Sequence, residues 1–583
     1  MEVVNLGTAC TRGDQALLSW TISSYSKVWF LIHANKLQPT DDNEERVVVL
    51  KATGDKSTEL KVTWIALVGM ALLIFSILLY QFAVAQDVWI DETTQLSGIT
   101  LKFVEMFRWL TGEHVDRFGI PGDRMPPATY VLDWVWLRVF GSSELSFRLF
   151  HAAFLVAGTA LIVVTASRRL NATASFIALA MLVLSPRLIQ AGVEIRAYPI
   201  FFACSCAQTV VFLSILDERE KINRKLLVSF SAVSVFAIYV HFFGLVSTSS
   251  FFVALGLANI RSPSAIIELV VCYVCILLLS LGILPFALSA VTLSDSQVGT
   301  SIAGSHSYVI YILKLFGDSA NLVSKPAAVL FFGGIVALFL QSAAGAIRRA
   351  KGRNPSSVDW LLVVVLAGVS ITLIASRLVH SFDALKTDYG IWLVPPLMLF
   401  TASGATIRSP LFFNSYRAAF AATVLGAGFA TYIFAANASE FIHGPGKFVG
   451  SAADRTKSPK AILYEAGAQW EWSYFPLVFS HKGGLAQYRA TKSGDKLVLL
   501  DDPSKASPQA ISDALNSYKS LTLVDVRLRT YEDLRKCRVN DCPSFQSGPV
   551  VAALVSSGRW RQTALDRQFG LYDTQVRIFD RID

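Results

Sequence analysis

The chain has 583 residues, of which 53% are hydrophobic and only 16% are charged. Soluble proteins carry about 25% charged residues, so this composition excludes an ordinary soluble enzyme as well as disordered and collagen-like classes. A net charge of +9 would suggest a nucleic-acid partner in a soluble protein. Here many basic residues lie in short loops between apolar segments, so membrane topology explains the charge and no nucleic-acid partner is predicted.

Eleven apolar segments are predicted to cross a membrane, because their lengths approach the ~20 residues that a helix needs to span a bilayer core. Several are short and would require tilting or bilayer thinning. The eleven segments are Trp64–Gln86, Phe147–Ala166, Phe176–Gln190, Ala197–Leu216, Leu226–Val240, Phe242–Ile260, Ala265–Ala290, Ala327–Ala346, Trp360–Val379, Tyr389–Ser403 and Ala418–Ala436. The predicted fold class is an α-helical polytopic membrane protein.

Basic residues orient these segments. Residues 1–63 are predicted to be a cytosolic N-terminal segment without a secretory signal. With that assignment the inside loops hold thirteen Lys or Arg, whereas three short outside loops hold four. The bias follows the positive-inside rule, which predicts a cytosolic N-terminus and an extracytoplasmic C-terminus.

Three outer regions are long enough to carry function: the first outer loop, the loop Val291–Pro326 and the C-terminal region. The predicted transmembrane domain, 64–437, contains a first outer loop, 87–146, with a helical stretch over Gln95–Leu110. The semi-apolar segment Ala128–Phe140 is too short and too charged to span, so we expect a helix along the membrane surface. Residues 438–583 are long enough to form a separate domain.

This C-terminal region alternates β-like and helix-like runs, which predicts a small α/β domain with some parallel sheet. The β-like runs are Ala461–Tyr464, Lys496–Leu500, Leu521–Val526, Val550–Val555 and Val576–Phe579, and the helix-like runs are Pro508–Tyr518 and Tyr531–Cys537. A disulfide between Cys537 and Cys542 is a possibility that the sequence leaves open.

Ionisable groups near a membrane cost free energy, so their positions are informative. Asp91 and Glu92 lie just beyond the first predicted span. Two adjacent carboxylates at a membrane surface could act as a general base and its orienting partner, or as metal ligands. The alternative is that they are two solvated loop acids.

A second candidate is the segment Glu194-Ile-Arg-Ala-Tyr198 between the third and fourth predicted spans. Arg196 is the one basic residue in that loop. A fixed guanidinium on the outer side could bind a phosphate through two parallel hydrogen bonds. The alternative is a local ion pair between Glu194 and Arg196.

Two further candidates lie at outer ends of spans. His241, at the junction of two short spans, could be a ligand or a base, or it could be a capping or packing residue. Lys386, Asp388 and Tyr389 precede the tenth predicted span, where interfacial anchors are also common. All these groups are predicted on one membrane face, but the sequence does not establish that they converge.

Metal and redox signals are weak. Cys204, Cys206, Cys272 and Cys275 all fall within apolar segments, which favours lipid-facing or core positions over a redox or zinc pair. The sequence has no phosphate-cradling Gly-rich loop, zinc-protease helix or serine-hydrolase elbow. Asp91 and Glu92 could hold a divalent cation, yet no set of ligands at fixed spacing demands one. No cofactor is therefore predicted to be required.

Four motifs in order along one predicted membrane face resemble those of GT-C-type membrane glycosyltransferases. The similarity is to the protein O-mannosyltransferase and aminoarabinose transferase group, particularly its bacterial envelope branch, and it covers about residues 64–400. The motifs are the Asp91–Glu92 pair, Met125–Gly141 followed by Ser143–Arg148, Glu194-x-Arg196-x-Tyr198, and Tyr239-x-His241-x-x-Gly244.

This family transfers a sugar from a polyprenyl phosphate at the outer leaflet to a hydroxyl group, with inversion. The resemblance implies a protein of the bacterial inner membrane with a periplasmic C-terminal domain. It implies a lipid-linked sugar donor and an envelope glycolipid, polysaccharide or protein as acceptor. By residue, it implies Asp91 as general base, Glu92 as an orienting group, Arg196 with Lys386 on the donor phosphate, and Glu194, Tyr198, His241 and Tyr389 as substrate contacts.

The chain departs from the family pattern at two places. Family members often carry His-Pro-Pro where this chain has Met125-Pro126-Pro127, and Arg-Tyr where it has Asp388-Tyr389. The second phosphate contact is therefore not assigned by the resemblance. The alternative function is a non-catalytic glycan-binding scaffold or a lipid-linked-sugar transporter. A transporter would place paired charges near the membrane midplane, whereas these candidates lie at span ends, which favours surface chemistry. The resemblance implies that this chemistry is inverting glycosyl transfer.

Overall fold

The structure is a computed structural model. It describes residues 45–88, 90–113, 122–123, 125–218, 222–297, 324–378, 389–406, 413–442, 444–456, 460–464, 496–497, 507–529, 533–534, 536–537 and 548–582. The chain divides into two compact units, Met1–Leu67 and Val68–Asp583. The described part of the first unit is helical, and the site discussed below lies in the second.

Helices account for most of the described chain. In order they are α1 (Glu45–Ala85), α2 (Ile90–Ile99), α3 (Phe103–Leu110), α4 (Pro127–Phe140), α5 (Glu144–Arg169), α6 (Ala172–Val183), α7 (Pro186–Val193), α8 (Tyr198–Asp217), α9 (Arg224–Val240), α10 (Phe243–Ala258), α11 (Pro263–Leu279), α12 (Leu284–Gln297), α13 (Lys325–Lys351), α14 (Trp360–Leu378), α15 (Val394–Ser403), α16 (Phe413–Ala436), α17 (Gly446–Ala453), α18 (Pro508–Leu515) and α19 (Pro549–Ser556). Short 3₁₀ turns occur at Leu281–Ile283, Ser357–Asp359, Ile391–Leu393, Gly404–Thr406 and Ala438–Phe441.

The predicted polytopic α-helical class is confirmed, and each predicted span overlaps helical structure, although the third covers α6 and α7 and the seventh covers α11, a 3₁₀ turn and part of α12. Among the described residues, seven helices are long and apolar enough to cross a membrane, and eight if the bent pair α6–α7 counts as one span. Two predicted spans correspond to the shorter apolar helices Phe243–Ala258 and Ile391–Thr406. The number eleven is therefore not confirmed.

The third predicted span is not one straight helix. α6 and α7 meet at an angle of 52°, because Pro186 begins α7 and the Ser185 side chain accepts a hydrogen bond from the Leu188 amide at 3.3 Å. This arrangement caps a new helix instead of continuing the old one. The apolar sequence continues across the break, so hydropathy alone did not show it.

In the described part of the predicted first outer loop, 87–146, three helices precede α5. The stretch predicted as one helix over Gln95–Leu110 is divided between α2 and α3, with a turn closed by a 3.1 Å bond from the Leu101 amide to the Gly98 carbonyl. The predicted helix at Ala128–Phe140 is α4, which has Pro127 in its first turn. Its Asp133 was one reason to expect a surface helix, yet Asp133 is fully buried.

The C-terminal region contains the predicted α/β fold. Its strands are β1 (Lys460–Tyr464), β2 (Lys496–Leu497), β3 (Ser520–Leu528), β4 (Trp560–Gln568) and β5 (Tyr572–Arg581), in the sheet order β2-β1-β3-β5-β4. β1 pairs in parallel with β2 and β3, whereas β5 pairs antiparallel with β3 and β4. The expectation of some parallel sheet is confirmed.

Two assignments in this region were wrong. Val550–Val555 was predicted as a strand but lies in α19, where Val550, Val551 and Leu554 pack into the core beside Ile511 of α18. β4 was missed because most of its residues are exposed and polar, and such an edge strand lacks a clear apolar alternation. Cys537 forms a disulfide, and Cys542 lies outside the described residues.

The C-terminal region is anchored to the segment that follows the C-terminal end of α1. The side-chain amide of Gln86 donates to the Phe441 carbonyl at 3.1 Å, and the Lys447 amide donates to Asp87 Oδ2 at 2.8 Å. Gly444 has a positive φ of +86° and lies so close to Val88 that a Cβ would be 2.5 Å from its carbonyl oxygen. These contacts place the C-terminal region beside the first outer loop.

Close packing of α13 against α16 provides a test of the helical core. An alanine Cβ at position 334 would lie 2.3 Å from Thr423 Oγ1 and 2.6 Å from the Ala419 carbonyl oxygen, whereas one at position 333 would meet nothing within 4 Å. Small residues of this kind let membrane helices approach closely. We expect Gly334→Ala to lower the free energy of unfolding in detergent by about 1–3 kcal/mol. Gly333→Ala is the control, and an equal loss in both variants would contradict the packing.

Candidate active site

Arg196 is the central cation of the candidate site and is 4% exposed. It lies in the connection between α7 and α8. Its Nη1 donates to the Asp91 backbone carbonyl at 3.0 Å and to Asp123 Oδ2 at 2.6 Å. Among the described residues its ion pair is thus with Asp123 rather than with Glu194, the alternative raised by the sequence.

The Arg196 guanidinium is not saturated with hydrogen bonds. Its Nε–H is buried and has no partner among the described residues. Burial alone would lower the pKa of Arg196, but the carboxylates of Asp123 and Asp91 raise it, so the group stays charged. An arginine has five N–H donors in a rigid fork. The site therefore holds a fixed positive charge with donor capacity left for an anionic ligand.

Asp123 was not predicted as a site residue. It accepts hydrogen bonds from Arg196 and from the Tyr130 hydroxyl of α4. Burial, together with the nearby Asp123 carboxylate, raises the pKa of Tyr130, so the phenol remains a donor. Asp123 belongs to a loop rich in charges, and nothing in the sequence distinguishes it from its neighbours. Its role depends on a contact between residues 73 positions apart.

Glu92 has a different environment from Asp91 although the two are adjacent in the first turn of α2. Glu92 is fully buried and accepts hydrogen bonds from Arg148 Nη1 at 2.7 Å and Nη2 at 2.9 Å. It also accepts the Ile195 amide at 2.8 Å. Glu92 is consequently occupied in holding the loop that carries Arg196, which is consistent with the orienting role suggested for it.

Arg148, by contrast with Arg196, has all its donors engaged. Besides Glu92, it donates to Glu144 Oε1 at 2.9 Å, to the Val193 carbonyl at 2.7 Å and to the Asp87 carbonyl at 2.8 Å. The sequence included Arg148 in a motif but gave it no role. A buried ion pair is tolerated when the remaining donors are also satisfied, as they are here.

Asp91 is half-buried. Its carboxylate accepts no hydrogen bond from the described residues, yet its charge contributes to the pKa values of Arg196 and Glu194. Successive side chains of a helix point about 100° apart, so Asp91 and Glu92 face different surroundings. Asp91 is thus the carboxylate of the pair that has free acceptor capacity beside the Arg196 cation.

His241 lies close to the same cation. Burial and the Arg196 charge lower the pKa of His241 to about 3, so the ring is neutral near neutral pH. Its Nδ1 accepts the Phe243 amide at 3.2 Å, which places the proton of the neutral ring on Nε2. That Nε2–H is buried and has no partner among the described residues.

Aromatic rings hold the His241 imidazole in place. The ring stacks on Phe201 with centroids 4.9 Å apart, and its centroid lies 5.9 Å from that of Tyr198 and 5.4 Å from that of Tyr389. Three predicted substrate contacts are therefore neighbours in the structure. His241 is also the C-terminal capping residue of α9. The capping and packing role that the sequence left open therefore fits its position.

Glu194 is the remaining predicted contact in the described chain. Burial raises its pKa to about 7, with Arg187 acting in the opposite direction and Glu92 and Asp91 adding to the rise. Arg187 was hidden from the sequence interpretation because it fell within the third predicted span. Lys386 lies outside the described residues, so its predicted role as phosphate helper remains a prediction.

A buried triad of polar side chains links three helices near the site. Asp133 of α4 accepts Gln95 Nε2 at 2.8 Å and bonds His151 Nε2 at 2.9 Å, and all three side chains are almost fully buried. The triad links α2, α4 and α5. Buried hydrogen-bonded networks of this kind fix relative orientation, so it helps to set the direction of the helix that carries Asp91.

Within the described ranges, no three His, Cys, Asp or Glu side chains are grouped so that they could hold a metal ion. Cys204 and Cys206 are buried, Cys272 is half-buried and Cys275 is exposed, and all four are free thiols.

Comparisons with known proteins give structural neighbours only. No protein-family model and no curated protein sequence matches the chain. Its structure is similar to ArnT from Cupriavidus metallidurans in the apo state (13% identity, TM-score 0.46, 89% of this chain and 98% of that chain covered). It is similar to the same protein bound to undecaprenyl phosphate (14% identity, TM-score 0.46, 88% of this chain and 98% of that chain covered). It is also similar to an Archaeoglobus fulgidus oligosaccharyltransferase in complex with Zn and sulfate (14%, 0.38, 78% and 67%). These neighbours are GT-C glycosyltransferases, the class that the motifs resemble.

The buried Glu92–Arg148 pair yields a stability prediction. Glu92→Gln keeps the size of the side chain but removes the charge that balances Arg148. Breaking one partner of a buried ion pair costs about 3–5 kcal/mol, and we expect a loss of that order in the free energy of unfolding in detergent. Glu105→Gln, which removes an exposed partner 3.7 Å from Lys102 Nζ, should cost less than about 1 kcal/mol. Equal losses of unfolding free energy in the two variants would show that the buried pair stabilises the fold no more than the exposed pair does.

Asp87 yields a prediction about pH. Burial and the nearby Glu144 raise the pKa of Asp87 from 3.8 to about 8, against the opposing effect of Lys447. Because the pKa of Asp87 is higher in the folded state, its contribution to the free energy of unfolding is fully present below about pH 4 and is lost as the pH rises through about 8. We expect Asp87→Asn to flatten this decline, so that its unfolding temperature exceeds that of the wild type increasingly between pH 5 and 8.5. Parallel unfolding curves for both proteins across this range would refute the assignment.

Proposed function

We propose that the protein is an inverting glycosyltransferase that moves a sugar from a polyprenyl-phosphate donor to a hydroxyl of an envelope glycolipid, polysaccharide or protein. The proposed location is the outer face of a bacterial inner membrane, with the N-terminus in the cytoplasm and the C-terminal α/β domain in the periplasm. One observation carries the proposal. Arg196 is buried and charged, its Nε–H has no partner in the described part of the chain, and it lies near the neutral His241 and the half-buried Asp91.

Arg196 would bind the donor phosphate. As the glycosidic bond breaks, the departing polyprenyl phosphate gains negative charge, and a fixed cation stabilises that charge in the transition state. The free Nε–H of Arg196 and the free Nε2–H of His241 are the donors that would meet phosphate oxygens. Tyr130 and Asp123 hold the guanidinium in orientation from the opposite side.

Asp91 would act as the general base. Inversion requires a base near the acceptor oxygen on the side of the sugar opposite the leaving group. A carboxylate whose acceptor positions are free can take the proton of a hydroxyl, whereas Glu92 is already engaged by Arg148 and the Ile195 amide. Glu92 is therefore a positioning residue, and Glu194, Tyr198 and Tyr389 complete the wall around the substrate.

This scheme requires no cofactor, since Arg196 supplies the positive charge. A divalent cation at Asp91 would be an additional requirement, and loss of transfer in the presence of a chelator would reveal it. The identity of the sugar depends on the shape of the pocket rather than on these charges. Donor panels of polyprenyl-phosphate hexoses and pentoses are the appropriate substrates.

The test separates binding from transfer. For Asp91→Asn we expect binding of undecaprenyl phosphate to be unchanged and sugar transfer to fall at least 100-fold, the usual contribution of a general base. For Arg196→Gln we expect binding of undecaprenyl phosphate to weaken about tenfold or more. Arg108→Gln, which removes an exposed cation of α3 on the same face, is the control and should change neither.

Two results would overturn the proposal. Wild-type transfer by Asp91→Asn would remove Asp91 as the base, and unchanged undecaprenyl phosphate binding by Arg196→Gln would remove the phosphate site. Binding of every donor without any turnover by the wild type would favour a glycan-binding scaffold or a transporter.

A further inference from the structure

A groove of about 630 Å³ lies between helices at the end of the bundle opposite the candidate active site. Its walls come from the C-terminal ends of α10 and α13, the loop after each, and the start of α14. α10 begins two residues after His241 and runs for 16 residues to Ala258, which is about 24 Å at 1.5 Å per residue. The groove is therefore separated from the candidate active site by most of a bilayer thickness, and it lies on the predicted cytoplasmic side.

The lining of the groove has two chemically different parts. Its apolar part includes Leu257, Ile260 and Ile347, whose exposed fractions are 46%, 66% and 53%. Its polar end carries two exposed cations, Arg261 and Arg353, neither of which has an ion-pair partner among the described residues. Exposed apolar walls suit the acyl chain of a lipid, and the cations at one end suit an anionic headgroup.

The Asp359 carboxylate, which lines the groove, does not repel an anionic ligand because its charge is already paired. Asp359 accepts Arg349 Nε at 2.8 Å and Arg349 Nη2 at 2.5 Å, and it also accepts the Ser356 amide at 2.8 Å. Its charge is thus already balanced by an arginine outside the lining. The net charge that the groove presents is positive, from Arg261 and Arg353.

Arg353 occupies a position where an arginine is unfavourable. Its φ of +57° is the one positive φ of a non-glycine residue in the described chain. The turn is fixed by hydrogen bonds from the Arg353 amide to the Ala350 carbonyl and from the Asn354 amide to the Arg349 carbonyl, both 3.0 Å. Glycine or asparagine is the usual residue just after a helix in this conformation. An arginine held in this strained backbone beside a groove is the kind of outlier that suggests function.

We propose that this groove binds an anionic glycerophospholipid, with the headgroup phosphate between Arg261 and Arg353 and an acyl chain along Leu257, Ile260 and Ile347. Basic pockets between membrane helices on the cytoplasmic side bind anionic headgroups by this electrostatic match. A soluble anion would gain nothing from the exposed apolar walls. The site is independent of the proposed transferase activity.

The experiment measures lipid binding to the full-length protein in detergent by native mass spectrometry. The probes are phosphatidylglycerol and phosphatidylcholine with identical acyl chains. Each arginine near an anionic headgroup strengthens binding about fivefold. We expect the wild type to prefer phosphatidylglycerol by about 25-fold, and the double variant Arg261→Gln/Arg353→Asn to retain a preference of about twofold or less.

A matched control and a second variant make the result decisive. Arg348→Gln removes an exposed cation from the same end of α13 that does not line the groove, and it should keep the preference. Arg353→Gly relieves the backbone and should lose about fivefold in preference without a lower unfolding temperature, which tests the site even if the double variant does not fold.

Three results would overturn the proposal. The first is equal wild-type affinity for the two lipids. The second is an equal loss in Arg348→Gln, which would indicate general surface charge. The third is displacement of phosphatidylglycerol by millimolar glycerol 3-phosphate, which would indicate a site for a free phosphate.

Discussion

The ion pair between Arg148 and Glu92 is the constraint on which the outer end of the molecule depends. Moving two charges out of water costs several kcal/mol per ion, and this cost is tolerated here because the arginine donates five hydrogen bonds to four residues. Those contacts connect α2 and α5 with the end of α1 and the end of α7. Any displacement of one element would leave a buried donor unpaired, so the elements hold one arrangement.

The same pair sets the roles of the neighbouring residues. Because Glu92 also accepts the Ile195 amide, the loop that carries Arg196 is fixed at its base. Arg196 in turn is only partly satisfied, with a buried Nε–H that finds no partner in the described chain. Among the described residues, the two buried arginines thus differ in one respect: every N–H of Arg148 has an acceptor, whereas the Nε–H of Arg196 has none. The ligand-binding role proposed for Arg196, and the structural role of Arg148, thus rest on hydrogen-bond saturation rather than on residue type.

The sequence predicted the parts of this arrangement that are local. Span-length apolar segments gave the helices, and the positions of Asp91, Arg196 and His241 at span ends gave the candidate site. It missed the kink at Pro186, the burial of Asp133 and the contact of Asp123 with Arg196, because each depends on which distant segment lies opposite. A charged residue that hydropathy assigns to the surface can be buried when a distant residue supplies its hydrogen bond. Hydropathy contains no information about which residue that is. Strand β4 was missed for the converse reason, since an edge strand is defined by its neighbour and not by its own apolar pattern.

The C-terminal domain joins the same electrostatic network through Lys447. Its Nζ lies 3.7 Å from Glu144 Oε2 and 3.9 Å from Asp87 Oδ1, and Glu144 in turn contacts Arg148. Arg148 and Lys447 supply two positive charges, which Glu92 and Glu144 balance. Burial, and after it the nearby Glu144 carboxylate, raises the pKa of Asp87 to about 8 against the effect of Lys447, so a third anion in this cluster is disfavoured. With Asp87 neutral the charges of this cluster balance, and the cluster links the C-terminal region, through Lys447, to Glu92 and so to the loop that carries Arg196.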